Sequence, residues 1–170
     1  MTTRTELERL LSECEACAGA DAQGFEAHFS VCPKCREYAD AAEETAEQVQ
    51  FLEEVASRPL ESAKQLFGAR VRGILALPAE ERAPAVAALL DALGEISEDA
   101  RVKAVRVRTD LLMEIPKEHR EALMTTLGAA MRAWPEERKA VERRAVMKAT
   151  EDYFLLKRMM VRKKFAALLN

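Results

Sequence analysis

The sequence predicts an all-α protein: a small cysteine-bearing helical module followed by antiparallel helical repeats in nineteen-residue units, stacked as a solenoid or an elongated bundle. Three observations lead there. Ala, Leu, Glu and Arg dominate a composition that is 49% hydrophobic yet only 5% aromatic, a mixture that favours helix over sheet. Similar segments begin every nineteen residues from Arg58 onward. All four cysteines lie in two C-x2-C pairs near the start of the chain. The expected division is 1–57 for the cysteine module and 58–170 for the repeats.

The repeat is marked by Arg58-Pro59, Leu77-Pro78, Ile96-Ser97, Ile115-Pro116 and Trp134-Pro135, with Tyr153-Phe154 one period later. Counted from the first residue of each pair, the fourth position holds Glu61, Glu80, Asp99, Glu118 and Glu137, and the sixth holds Arg82, Arg101, Arg120 and Lys139. Proline suits the first turn of a helix, where its missing N–H costs nothing, and an early acid complements the helix dipole. The apolar residue before the proline packs back as a staple. Phe67, Val86, Val105 and Met124 at the tenth position, and Ile74, Leu93, Leu112 and Met131 at the seventeenth, share one helical face and form the expected core. Short connections predict consecutive antiparallel helices, paired into 38-residue hairpins such as 77–114 and 115–152. Pro84 is expected to kink or restart its helix.

Upstream, Thr5 caps a first short helix to about Glu13, and Gly19 to Gly24 reads as a turn. From Pro33 a long acidic helix is expected to about Ser57. Tyr38, Ala42, Thr45, Val49, Leu52 and Val55 mark its buried face, and Glu43, Glu44, Glu47, Glu53 and Glu54 its solvated one.

The C-x2-C spacing of the pairs Cys14/Cys17 and Cys32/Cys35 can turn both sulfurs of each pair toward one point. Four thiolates suit the tetrahedral, borderline-soft preference of zinc, so a structural Zn2+ site is the expectation. An iron–sulfur cluster uses the same ligands, and redox-active dithiols or disulfides are the remaining readings. His28, four residues before Cys32, lies on the same face of a helical approach and is an alternative ligand in place of one cysteine. Met1 to Leu11 is charged, with no apolar segment before a cleavage site, so reduced thiols and a cytoplasmic location are expected.

The run Phe25-Glu26-Ala27-His28-Phe29-Ser30-Val31-Cys32-Pro33-Lys34-Cys35-Arg36-Glu37-Tyr38 resembles the H-x3-C-x2-C signature of zinc-binding anti-sigma factors, over roughly residues 10 to 50. Upstream, where that family has a single Cys or His, this chain has the pair Cys14 and Cys17. The resemblance implies a helical zinc fold that binds another protein, in transcription regulation, and that in some members releases it when the thiols oxidise.

The formal charge of −3 hides an asymmetry: residues 1–56 hold 13 acids and 4 bases, and residues 57–170 hold 16 acids and 22 bases. The segment 153–170 has five bases, Lys157, Arg158, Arg162, Lys163 and Lys164, and no acid. It reads as a closing helix, or as a basic surface for nucleic acid or an acidic partner. The methionines at 113, 124, 131, 147, 159 and 160 fall mostly at core spacings, with a Met-lined groove as the sharper reading. No run approaches the length of a membrane span. There is no phosphate loop or metalloprotease histidine pair, and His119 stands among charges without a Ser, Cys or second His beside it. An enzyme is therefore not expected. The functional classes left are a zinc-stabilised helical adaptor or regulator for another protein, a nucleic-acid-binding zinc protein and a thiol-based redox sensor.

Overall fold

The computed structural model describes residues 33–169. Seven helices and no strand are found among them: α1 Pro33–Ser57, α2 Leu60–Ala76, α3 Ala79–Glu95, α4 Glu98–Glu114, α5 Lys117–Arg132, α6 Glu136–Ala149 and α7 Leu155–Leu169. The chain divides into two compact units, 1–47 and 48–170. In the first, the description covers α1 from Pro33 onward, and Glu43, Glu44 and Glu47 are exposed there as their spacing predicts. In the second, Leu52 and Val55 of the same helix are fully buried, while Glu53 and Glu54 face solvent. Phe51 meets Phe67 of α2 with ring centroids 5.9 Å apart.

The first residues of α2 to α7 recur every nineteen residues, at 60, 79, 98, 117, 136 and 155. Each start is built in the same way. The prolines stand one position ahead of the expected place, as the capping residue rather than inside the first turn. At Pro59, Pro78 and Pro116, φ lies between −51° and −54° and ψ between 148° and 153°. The ring fixes φ in advance, and the carbonyl of the capping residue takes the first helical hydrogen bond. The amides of Ala63, Arg82, Arg101, Arg120, Lys139 and Arg158 donate to the carbonyls of Pro59, Pro78, Ser97, Pro116, Pro135 and Phe154 at 2.9 to 3.1 Å. Ser97, where proline is missing, also accepts from the Ala100 amide through its hydroxyl.

The sixth-position arginine closes the joint from the other side. Arg82 donates to the carbonyls of Leu75 and Leu77 at 3.2 and 3.0 Å. Arg101 donates to those of Leu93, Gly94 and Ile96 at 2.6, 3.1 and 3.0 Å. Arg158, at the same position of the last unit, donates to Glu151 at 3.0 Å. Each guanidinium reaches back to carbonyls that the end of the preceding helix or its connection leaves without a helical donor, and its charge suits the negative end of that dipole.

Packing departs from the expected hairpins. The most extensive contacts join helices two apart, α2 with α4, α4 with α6, α3 with α5 and α5 with α7; consecutive helices touch less. The antiparallel arrangement is seen between next-but-one partners, α2 with α4 and α4 with α6. Lys64 at the start of α2 reaches Glu114 at the end of α4 at 2.5 Å, and Lys148 at the end of α6 reaches Glu98 at the start of α4 at 3.2 Å. The physical reason is the connection: between α2 and α3, α3 and α4, and α4 and α5, two residues, extended at the cap, carry the chain round a corner instead of folding one helix back on the last. Nor does α3 restart at Pro84, since it runs unbroken from Ala79 to Glu95. That proline lies in the second turn, where only the Glu80 carbonyl forgoes its helical donor, and both Glu80 and Pro84 are exposed residues.

The expected core is buried at Phe67, Val86, Val105, Ile74, Leu93, Leu112 and Met131. Met124, the eighth member, is half-buried. Trp134 is half-buried against the core, with the Arg138 guanidinium 4.0 Å above its ring. His119 is exposed, as expected.

Candidate interaction surface

Of the expected metal ligands, Cys35 lies in the first turn of α1, whereas Cys14, Cys17, His28 and Cys32 lie outside the described residues. Among the described residues no cluster of three or more His, Cys, Asp or Glu is arranged to hold a metal ion.

The basic segment is described as far as Leu169, and all five of its cations lie within that range. It forms α7, and three of its five cations are engaged inside the protein. Lys157 donates to Asp110 of α4 at 2.8 Å, and Arg158 to the Glu151 carbonyl. Arg162 donates to the Thr150 hydroxyl at 3.1 Å and to the Met147 carbonyl at 3.0 Å. These cations therefore serve the end of the preceding helix α6 and the buried face of α4, rather than the C-terminus of their own helix. Lys163 and Lys164 are exposed.

Behind α7 lies a polar lattice centred on two side chains of α4. Asp110 is buried, and it accepts from Lys157, from the Tyr153 hydroxyl at 2.7 Å and from Arg106 Nε at 3.0 Å. Burial alone would raise its carboxyl, but the hydrogen bonds from Lys157, Tyr153 and Arg106 outweigh that and hold it below the ordinary carboxylate value of 3.8. Burial and the bond to Asp110 push the Tyr153 phenol upward, so it stays a donor. Arg106 lies 4.1 Å above the Tyr153 ring and also binds Asp152 and the Ala149 carbonyl. Two residues before Asp110, Arg108 pairs with Glu142 of α6, 5% and 3% exposed respectively, and lies 4.9 Å over the Phe165 ring of α7.

Because Asp110 is depressed in the folded state, its contribution to stability is fully present above its unfolded value and is lost as pH falls through the lower folded value. Urea unfolding followed from about pH 7 down to about pH 3 is therefore expected to show a steeper loss of stability below about pH 4 in the wild type than in Asp110→Asn. Parallel profiles would show that the lattice does not hold the carboxylate in its charged form.

The surface that this lattice supports is apolar. Phe154, Leu156 and Met159 are 77%, 71% and 60% exposed, Leu155 and Met160 of α7 are exposed with them, and so is Met147 of α6. The repeat shows how unusual these residues are. The fourth position, which holds an acid in the five preceding units, holds Leu156, and the capping position holds Phe154 in place of proline or serine. Met147 stands at the fourteenth position of its unit, where Leu90, Thr109 and Gly128 are buried and Val71 is half-buried. Each of those earlier residues belongs to a helix packed against the one two places on; α6 has no such neighbour among the described residues. Sequence spacing assigned Met147, Met159 and Met160 mostly to core faces. The signal that could have found the patch was the loss of the first-turn acid in the last unit.

Compared with models of known protein families, with curated proteins and with solved structures, the chain matches none of them.

Proposed function

We propose that this protein is a zinc-stabilised helical adaptor or regulator that binds another protein, with transcription regulation of the anti-sigma kind as its setting and a reducing, cytoplasmic location. One observation carries the binding part: Phe154, Leu155, Leu156 and Met159 stand exposed together at one end of the repeats, on a helix tied down by Lys157, Arg158 and Arg162. A contiguous apolar patch rimmed by polar groups on a rigid element is the physical mark of a docking surface. The metal part rests on the spacing of Cys14, Cys17, Cys32 and Cys35, with His28 as the alternative ligand, and zinc is preferred to an iron–sulfur cluster. Nucleic acid binding through the basic helix is less favoured, because three of its five cations are already engaged.

Full-length protein purified under reducing conditions is expected to hold about one zinc per chain. Folded protein with no metal and four freely titrating thiols overturns the metal part. For the binding part, affinity capture compares the wild type with Leu156→Glu, Met159→Glu. The first of these changes restores the acid that every preceding unit has, so the helix start is not disturbed. A protein retained by the wild type and lost by the variant supports the reading. Retention of nucleic acid, with affinity falling by orders of magnitude between about 50 and 200 mM salt, overturns it in favour of a nucleic-acid binder.

A further inference from the structure

A second surface feature lies away from the apolar patch, and it coincides with two departures from the repeat. An open groove of about 470 Å3 runs between α4, α5 and the second half of α7. Its floor is apolar, formed by Leu112, Met113, Met124, Phe165 and Leu168, and Lys117, Arg120, Glu121 and Lys164 stand along it as the charged groups. Met124 is the one tenth-position residue of its series that is not buried, and it opens onto this groove. Arg120 is the other departure. Arg82, Arg101 and Arg158, at the same position in their units, are spent on carbonyls of the preceding helix or its connection; Lys139 is spent on Glu136 of its own helix, and Arg120 makes no side-chain bond among the described residues.

The charges of the groove are unbalanced. Lys117 is paired with Glu121 at 3.7 Å, which leaves Arg120 and Lys164 without an acid partner among the described residues. Two cations beside a floor of Leu, Met and Phe recognise a molecule with an anionic head and an apolar tail. A guanidinium presents parallel N–H donors that match two acceptor oxygens of one acid group. The flexible thioethers of Met113 and Met124 adapt to an alkyl chain without a fixed shape. The volume falls in the range of about 300–1,000 Å3 usual for small-molecule sites.

We infer that this groove binds an amphipathic acid, a chain of about ten carbons lying on the Leu112–Met124–Phe165 floor with its acid group held by Arg120 and Lys164. The inference does not depend on what covers the apolar patch at the end of α7.

The test is titration calorimetry of the full-length protein with decanoate, decyl phosphate, decanol and acetate. Saturable binding of one decanoate or one decyl phosphate per chain is expected, and the tighter of the two identifies the acid group. Decanol, which lacks the charge, and acetate, which lacks the chain, are each expected to bind about tenfold or more weakly, the loss of a charge-assisted hydrogen bond or of the buried chain. Arg120→Gln and Lys164→Gln, both at positions whose side chains hold no other element in place, are each expected to weaken decanoate by about tenfold with the circular dichroism unchanged. Leu156→Glu, on the separate apolar patch, is expected to leave binding as it is. Absence of saturable binding by both acids overturns the inference. So does decanol binding as well as decanoate, and so does unchanged binding in both cation variants. Loss of binding in Leu156→Glu overturns it as well, by moving the site to the end of α7.

Discussion

Glu142→Ala is expected to lower the stability of the folded protein by about 3–5 kcal/mol, the cost of leaving a buried charge without its partner. Arg108 is almost wholly enclosed between α4, α6 and α7, and Glu142 is its carboxylate partner. The Phe165 ring beneath the guanidinium offers only a weak substitute, and Nε and Nη1 already lack hydrogen-bond partners. Urea unfolding of the single variant measures the loss. The double variant Arg108→Met, Glu142→Leu is the informative comparison, because it removes both charges while keeping much of the volume. It is expected to be far more stable than Glu142→Ala and close to the wild type. A single variant that costs less than about 1 kcal/mol would show that the guanidinium reaches water and that the pair belongs with surface ion pairs.

Phe67→Ala is expected to cost a similar amount, about 3–5 kcal/mol. The ring is 3% exposed, packs on Phe51, and lines an apolar cavity of about 40 Å3 shared with Ile74, Leu90, Leu93 and Leu111. Removing it enlarges a space that the surrounding side chains already fail to fill, so little of the loss is recovered by collapse. Leu93→Ala, which lines the same cavity, is expected to lose about 2–5 kcal/mol. Near-neutral results at both positions would mean that the face at the tenth and seventeenth positions is not the core.

The spacing of helix starts was legible in the sequence because proline and the first-turn acid are local signals. A capping residue acts on the next four residues of its own chain, and nothing distant decides it. The burial of seven of the eight expected core residues follows for the same reason, since one helical face is defined by spacing alone. Three features were not legible. The reach of Arg82 and Arg101 depends on how sharply the chain turns between helices, and that in turn sets packing between next-but-one neighbours. Pro84 removes one helical hydrogen bond, a local cost visible in the sequence, whereas its placement in the second turn on an exposed part of α3, which makes that cost tolerable, depends on the fold. The engagement of Lys157, Arg158 and Arg162 depends on partners in α4, in α6 and in the connection before α7, so composition counted five free cations where the structure leaves two. The cysteine site is a different matter: its chemistry was read from the spacing of Cys14, Cys17, Cys32 and Cys35, most of which falls outside the described residues.

The arginine joints have a consequence for how the repeats come apart. In a linear array each unit is stabilised chiefly by its neighbours, and cooperativity is the strength of that coupling. Arg82 and Arg101 fasten α3 to the end of α2 and α4 to the end of α3, so neither helix end can fray without releasing the helix after it. At the α4–α5 and α5–α6 joints that fastening is missing among the described residues: Arg120 lines the groove, and Lys139 pairs with Glu136 of its own helix. The array is therefore coupled unevenly along its length, with α2, α3 and α4 opening as one block and the starts of α5 and α6 free to loosen on their own.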